Sequence, residues 1–410
     1  MTQSPTPQLP YAVLKDGSVT TPKGFQTGAI NAGLKTHGED RLDLTILYST
    51  GPSIGAGVFT LNKIAAAPVR VSKDHLARAR PRAVVVNSGC ANAAVGPQGV
   101  IDAEDTTRIV AAKLGLKPEE VLVCSTGVIG VELPMGLLRN AIPKIQLASD
   151  KGHDFARAII TTDTGPHEAC VQFQVQGKTV TIGGAAKGAG MIHPNMATLL
   201  AFVTTDAAVE PAFLQKALKE AADDTFNMLS IDGDTSTNDT LLLFANGQAG
   251  NAPISGGPDG ALFQQALTAV CRELARMLAS TGEGVTKLLE VRIEGAKSRE
   301  DARKAARTIA SSVLLKAAAY GNDPNWGRVL AALGRSGADI VEEKIAVYIN
   351  EICVMDEGRP VPFFREAAEA TMRRPEVVFQ VKLNMGEHAA TAWGCDLTNE
   401  YVYINSAYTT

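Results

Sequence analysis

Short runs rich in Val, Ile and Leu alternate along this chain with stretches whose apolar residues recur at i, i+3 and i+4, which restricts it to α/β architectures. Strands are expected at Leu42–Tyr48, Ala83–Val86, Glu120–Cys124, Leu199–Val203 and Leu241–Phe244. Further strands are expected at Leu288–Ile293, Ile345–Ile349 and Val377–Leu383. Cys170–Val175 and Thr179–Ile182 flank the polar break Gln176-Gly177-Lys178 and read as a hairpin. Leu262–Leu278 is the clearest helix, with Leu262, Phe263, Ala266, Leu267, Val270, Leu274, Met277 and Leu278 on one broad face. Pro211–Ala222 opens on a proline, whose missing N–H costs nothing in a first turn. Glu104–Leu114 ends before Gly115, a C-cap residue. The loop 246–260 should join a strand to the long helix, and a looser domain boundary is expected near Gly295–Arg299. No repeat with a period of about 20–50 residues is visible, which excludes solenoids and propellers.

Several function classes drop out on composition. A net charge of −4 argues against sequence-independent nucleic-acid binding, which needs a basic face. The six cysteines, Cys90, Cys124, Cys170, Cys271, Cys353 and Cys395, include no C-x-x-C pair and read as reduced, buried residues of an intracellular protein. The histidines are equally dispersed, so no metal site is expected. The first ten residues, MTQSPTPQLP, read as a mobile lead-in without the basic start and apolar run of a signal peptide. No apolar stretch reaches the ~18–20 residues that span a bilayer, so a cytoplasmic protein without a membrane partner is expected.

The chemistry concentrates in glycine-rich and polar segments. KGAGMIHPNMAT, 187–198, leads from the hairpin into an apolar strand beginning at Thr198. Pro194 biases His193 toward extended backbone, and a core strand would hold the Thr198 hydroxyl rigidly against the preceding carbonyl. Attack on the carbonyl of Ala197 would give an ester that water hydrolyses. The new α-amine, with an unperturbed pKa near ~7.7–8.0, could then act as the base for its own hydroxyl. By spacing alone, the plainer reading is that Ala197-Thr198 merely begins a buried strand. Thr126 and Gly127, in Cys124-Ser125-Thr126-Gly127 after a strand, could supply a hydroxyl and an N–H to an oxyanion, though such turns are also common caps. Thr161-Thr162-Asp163-Thr164, the cluster 232–239 and the cluster 322–328 have Asx-turns and caps as their plain explanation. The second lacks the spacing of an EF-hand.

Together these segments resemble the bifunctional ornithine acetyltransferase/glutamate N-acetyltransferase family of arginine biosynthesis. The likeness runs through GFQTGA (24–29), AGVFT (56–60), NSG (87–89), STGVIG (125–130), TTDT (161–164), KGAGMIHPNMATLLAFVTTDA (187–207), FNMLSIDGDTSTND (226–239), GEGVTK (282–287) and GNDPNWGR (321–328). The resemblance implies a layered αββα sandwich of the self-processing N-terminal-nucleophile kind, with a smaller C-terminal α/β part from about residue 296. It implies cleavage between Ala197 and Thr198 into chains 1–197 and 198–410, which stay associated as α2β2. It implies ping-pong transfer of acetyl from N-acetylornithine to glutamate through Thr198 in a cyclic arginine pathway. Thr126 and Gly127 match its oxyanion pair; Thr161, Lys187, Thr198, Glu283, Asn405 and Thr410 match its substrate contacts. An α-carboxylate suits Lys187, and an ornithine ammonium suits Glu283. No cofactor is implied, and acetyl-CoA would be a co-substrate only if the enzyme also performs the first acetylation.

The chain departs from the family pattern at Thr281, where Asp is usual, at Cys90, where Asn is usual, and around Val313, where a proline and a threonine are expected. These departures leave the acyl donor range open. Two rivals follow from the same residues. One is an amidase or aminopeptidase using Thr198 with water as acceptor; the other is a non-catalytic amino-acid-binding protein, which would remain one uncut chain.

Overall fold

The computed structural model describes residues 9–35, 41–193 and 199–407. Ala197, Thr198, Thr410 and most of the lead-in lie outside the described residues. The chain begins with β1 (Ala12–Val13), β2 (Phe25–Ile30), β3 (Leu44–Ser49) and β4 (Ile54–Phe59), then α1 (Ala67–Arg78), β5 (Ala83–Cys90) and α2 (Gly96–Leu114). It continues through β6 (Val121–Val128), α3 (Met135–Ala141), α4 (Gly152–Ile159), β7 (His167–Val175) and β8 (Lys178–Lys187). β9 (Leu200–Thr205), α5 (Pro211–Asp224), β10 (Leu229–Ser230), β11 (Thr240–Ala245) and α6 (Gly257–Ser280) follow. Next come β12 (Leu288–Ala296), α7 (Arg299–Ala310), α8 (Val313–Tyr320) and α9 (Trp326–Gly334). The chain closes with β13 (Ala346–Ile349), β14 (Ile352–Asp356), β15 (Arg359–Pro360), α10 (Arg365–Met372), β16 (Glu376–Lys382), β17 (His388–Cys395) and α11 (Asn399–Ala407).

The strands form three sheets, ordered β1-β7-β8-β9-β11-β4, β2-β3-β5-β6 and β10-β17-β12-β16-β13-β14-β15. The first two stack face to face. Side chains alternate along a strand, and here both faces of the inner strands are buried. On β9, Leu200 and Phe202 enter the core between the sheets, while Ala201 and Val203 enter the core on the far side with α5 and α6. Leu242 and Phe244 of β11 match them on the inner side, and Leu241 and Leu243 on the outer. From the opposite sheet, Leu47, Val84, Val86, Leu122 and Cys124 close the same inter-sheet core. Leu44, Ile46, Val85 and Val123 face α2 and α3. The layers therefore run helix, sheet, sheet, helix. Phe155 of α4 meets Phe202 edge to face at 5.1 Å, a contact worth about 0.5–1.5 kcal/mol beyond the area it buries.

The hairpin turn is Gln176-Gly177, both at positive φ (52° and 73°), with Val175 paired to Lys178. That is the two-residue turn whose twist matches antiparallel strands. The long helix extends over 257–280 and follows the 246–256 loop after β11. Gly115 caps α2 in the left-handed region. The seven-stranded sheet takes β12, residues 288–296, as a central strand between β17 and β16. The C-terminal sheet thus draws on chain before the expected 295–299 boundary. Leu289, Val291 and Ile293 of β12 share one core with Ala302, Ala305, Ala306 and Ile309 of α7 and with α6, so this sheet joins the outer helical layer of the sandwich.

Candidate active site

Six of the residues singled out by sequence line one cavity of about 310 Å³: Thr126, Gly127, Thr161, Lys187, Glu283 and Asn405. Leu199 and Leu200 line it too, which places the start of β9, and the chain just after Thr198, at its wall. Ala197, Thr198 and Thr410 themselves lie outside the described residues.

The sheets explain the convergence. β5 and β6 are parallel neighbours in which Gly89 pairs with Gly127. Gly127 has φ +129°, and a Cβ there would sit 2.3 Å from the Gly89 carbonyl carbon, so only glycine lets these strand ends meet. Asn87 braces the turn, donating to the Cys90 carbonyl (2.8 Å) and accepting from the Ser125 hydroxyl (2.6 Å). The side-chain amide of Asn238 donates to the carbonyls of Ala91 (2.6 Å) and Ser125 (2.8 Å), tying the 232–239 loop to the same turn.

Lys187, the last residue of β8, pairs with Leu200 across the antiparallel ladder. Its ammonium therefore arrives beside the start of β9. It donates to the hydroxyls of Thr161 (2.7 Å) and Thr126 (3.3 Å) and lies 3.9 Å from the Asp163 carboxylate. Because Thr126 Oγ1 accepts from Lys187, its own proton is left for an acceptor in the cavity. Asp163 has no exposed side-chain surface; its oxygens accept the backbone N–H groups of Gly188 (2.6 Å) and Thr161 (3.0 Å). Glu283 accepts from the Thr162 hydroxyl (2.6 Å) and the Asn405 amide (2.8 Å), and is nearly buried. Asn405 is carried by α11, whose first turn is tied down where Thr398 accepts the Tyr401 N–H and donates to the Gly284 carbonyl.

The chain entering residue 194 is held firmly. Asp232 accepts the N–H groups of Met191 and Ile192, Thr235 donates to the His193 carbonyl (2.9 Å), and His193 Nδ1 contacts the Ser230 hydroxyl (2.9 Å). Beyond the undescribed stretch, the Thr240 N–H holds the Leu199 carbonyl (2.9 Å). Burial, with Arg307 and Lys316 close by, pushes His193 down from 6.5 to about 4. His167 is also lowered by burial; its Nε2–H donates to Thr281 (2.6 Å), whose own hydroxyl is committed to the Met277 carbonyl. The departure at position 281 thus leaves a neutral partner for a neutral imidazole. In the unfolded chain both imidazoles protonate near 6.5, whereas folded His193 resists until about 4. Stability should therefore be full above pH 6.5 and fall as pH drops through that window. Urea midpoints are expected to decrease from pH 7 to pH 5, and to decrease less in His193→Gln. Equal losses in both proteins would remove His193 from this account.

Cys90, the other departure, is buried with its thiol raised by burial and directed at the Val131 carbonyl (3.2 Å), a packing role. Val313 is an exposed first-turn residue of α8, away from the cavity lining. Among the described residues no group of three or more His, Cys, Asp or Glu could hold a metal ion, and no helix is long and apolar enough to cross a membrane. Sequence reasoning missed Asp163, Asn238, Lys35 and Arg41 as parts of this site. Asp163 stood inside a motif already noted; Lys35 and Arg41 carried no local signal.

Two sheets stacked between helical layers, with a glycine-lined turn, a lysine and a carboxylate converging on the start of an inner strand, fit the frame of an acyl-transferring enzyme. The ArgJ family model matches residues 26–410, and the chain belongs to that family. It is 51% identical over 399 residues to the arginine biosynthesis bifunctional protein ArgJ of Dehalococcoides mccartyi, covering 97% of this chain and 98% of that protein. The ArgJ of Symbiobacterium thermophilum is 49% identical over 397 residues, covering 96% of this chain and 99% of that protein. Among solved structures, an ArgJ crystal structure from Bacillus halodurans is 42% identical with a TM-score of 0.49, covering 50% of this chain and 98% of that one. This chain is an acyltransferase of arginine biosynthesis.

Proposed function

We propose that the protein moves acetyl from N-acetylornithine to glutamate through an ester on Thr198, after cutting itself between Ala197 and Thr198. The observation that carries this reading is the single cavity at the head of β9, where Thr126, Gly127, Lys187, Thr161, Glu283 and Asn405 meet. Each group has a chemical task. The α-amine released by cleavage takes the proton of the Thr198 hydroxyl as it attacks the acetyl carbonyl. The Thr126 hydroxyl and Gly127 N–H stabilise the oxyanion, and the ester forms as ornithine leaves with the proton. Glutamate's amine then attacks the ester by the same steps in reverse order. Lys187 offers a cation to an α-carboxylate and Glu283 an anion to the ornithine side-chain ammonium.

The same reading takes acetyl-CoA as co-substrate only for a first acetylation, needs no cofactor, and places the two chains in a cytoplasmic α2β2 assembly. Intact-mass spectrometry tests its core. Two chains parting between Ala197 and Thr198, and one acetyl gained by the C-terminal chain on brief exposure to N-acetylornithine, are expected. Two chains with no adduct would point to other acyl donors or to hydrolysis; one uncut chain would overturn the mechanism.

A further inference from the structure

The proposed exchange asks one cavity to hold two differently charged amino acids in turn. Ornithine carries an ammonium at its far end, and glutamate carries a second carboxylate. Glu283 suits the first and repels the second. Lys187 is a single cation, already donating to Thr161 and Thr126 and half-compensated by Asp163 at 3.9 Å. A dicarboxylate therefore needs another positive charge facing the same space.

Two further cations line the cavity, Lys35 and Arg41, both on the connection between β2 and β3. The backbone carrying Lys35 is rigid. Buried Asp43 accepts the N–H groups of Ala32 (2.6 Å), Leu34 (2.6 Å) and Lys35 (3.3 Å). The Leu34 carbonyl packs so closely on Gly89 that a Cβ there would lie 2.7 Å from it. Gly89 in turn abuts Gly127, so the Lys35 backbone is registered against the oxyanion turn. The Lys35 ammonium donates to the Leu42 carbonyl (2.7 Å), which uses one of its three N–H groups on a neutral acceptor. Its strongest charged neighbours are Asp43, Arg41, Lys187 and Asp163. Asp43 is occupied with backbone N–H groups and Asp163 with two more beside Lys187. Burial pushes Lys35 down to about 8, the mark of a cation held partly out of water without full compensation.

We propose that Lys35, with Arg41 beside it at the rim, is the cation that receives the second carboxylate of the dicarboxylic acceptor. The assignment rests on the acetyl-exchange reading above and adds to it the residue that separates acceptor from donor. Ornithine uses Glu283 for its far end; glutamate turns its far end to Lys35.

The test is steady-state transfer from N-acetylornithine to glutamate or to glutamine, in wild type, Lys35→Met and Lys35→Arg. Lys35→Met is expected to raise the KM for glutamate about tenfold or more beyond any rise for N-acetylornithine, the loss of one charge-assisted hydrogen bond. Its preference for glutamate over glutamine should shrink by about the same factor, and Lys35→Arg should recover most of both. Equal rises for donor and acceptor, or an unchanged glutamate preference, overturn the Lys35 assignment while leaving acetyl exchange in place. Wild type that forms an acetyl-enzyme yet never acetylates glutamate overturns the exchange reading, and the assignment with it.

Discussion

Thr198→Ala is expected to yield a single 43.1 kDa chain that gains no acetyl group and transfers none. Removing a nucleophile from a unit of groups that act together costs on the order of 10^5 or more in kcat. Here the same hydroxyl would serve twice, first on its own peptide and then on substrate, so both activities should vanish together. The flanks of this residue support that expectation. Thr235 and Ser230 hold His193 on one side, and the Thr240 N–H holds Leu199 on the other. These contacts fix the chain at His193 and at Leu199, the described residues on either side of the cleavage segment. Electrophoresis under denaturing conditions reads the cut and mass spectrometry reads the adduct. Cleavage retained in Thr198→Ala would place the attacking group elsewhere. Thr198→Ser offers a companion measurement, since a serine hydroxyl with its own amine retains the chemistry and should keep cutting.

What the sequence disclosed follows the physics of each segment. The strands of β9, β11, β12 and β16 were legible because both-face or one-face burial demands runs of Val, Leu and Ile, and the long helix because its apolar face repeats over many turns. β2 (FQTGAI), β4 (IGAGVF) and β17 (HAATAWGC) carry glycine and alanine instead, residues with little strand preference. Their small residues answer to close neighbours: a Cβ on Gly28 would lie 2.1 Å from the Gln146 carbonyl oxygen, a partner far off in sequence. No window along the chain shows such a contact. The site divides the same way. Motif-borne residues, Thr126, Gly127, Lys187 and Glu283, were recognised by resemblance. The Asx-turn reading of the polar clusters was realised at Asp232, which accepts the Asp234 N–H two residues on, whereas Asp163 reaches back to the Thr161 N–H. What spacing could not reveal is that Asp163 also reaches β8, because that depends on how a loop folds onto a sheet.

Asp163→Asn should therefore be far more damaging than its position in a polar loop suggests. The carboxylate accepts two backbone N–H groups from separate elements, Thr161 in its own loop and Gly188 just past β8. An amide can present only one oxygen. Its NH2 group must then face an N–H, donor against donor, so one of the two contacts breaks and the 161–164 loop loosens from the end of β8. The ammonium of Lys187, with only 10% of its side chain exposed, loses its one nearby negative charge among the described residues. Removing one partner of a buried pair and leaving the other uncompensated costs about 2–4 kcal/mol. The catalytic effect should be larger still. Lys187 positions Thr126 and Thr161 through its N–H groups, and a displacement of about 1 Å at such a centre costs roughly a hundred- to a thousandfold in kcat/KM. The two effects can be read separately. Urea unfolding at pH 7 gives the stability loss, and acetyl transfer measured well below the unfolding midpoint gives the catalytic one. A variant that loses stability but keeps kcat/KM would make Asp163 a brace for the loop alone, whereas loss of both identifies the carboxylate as the group that holds Lys187 at the head of β9.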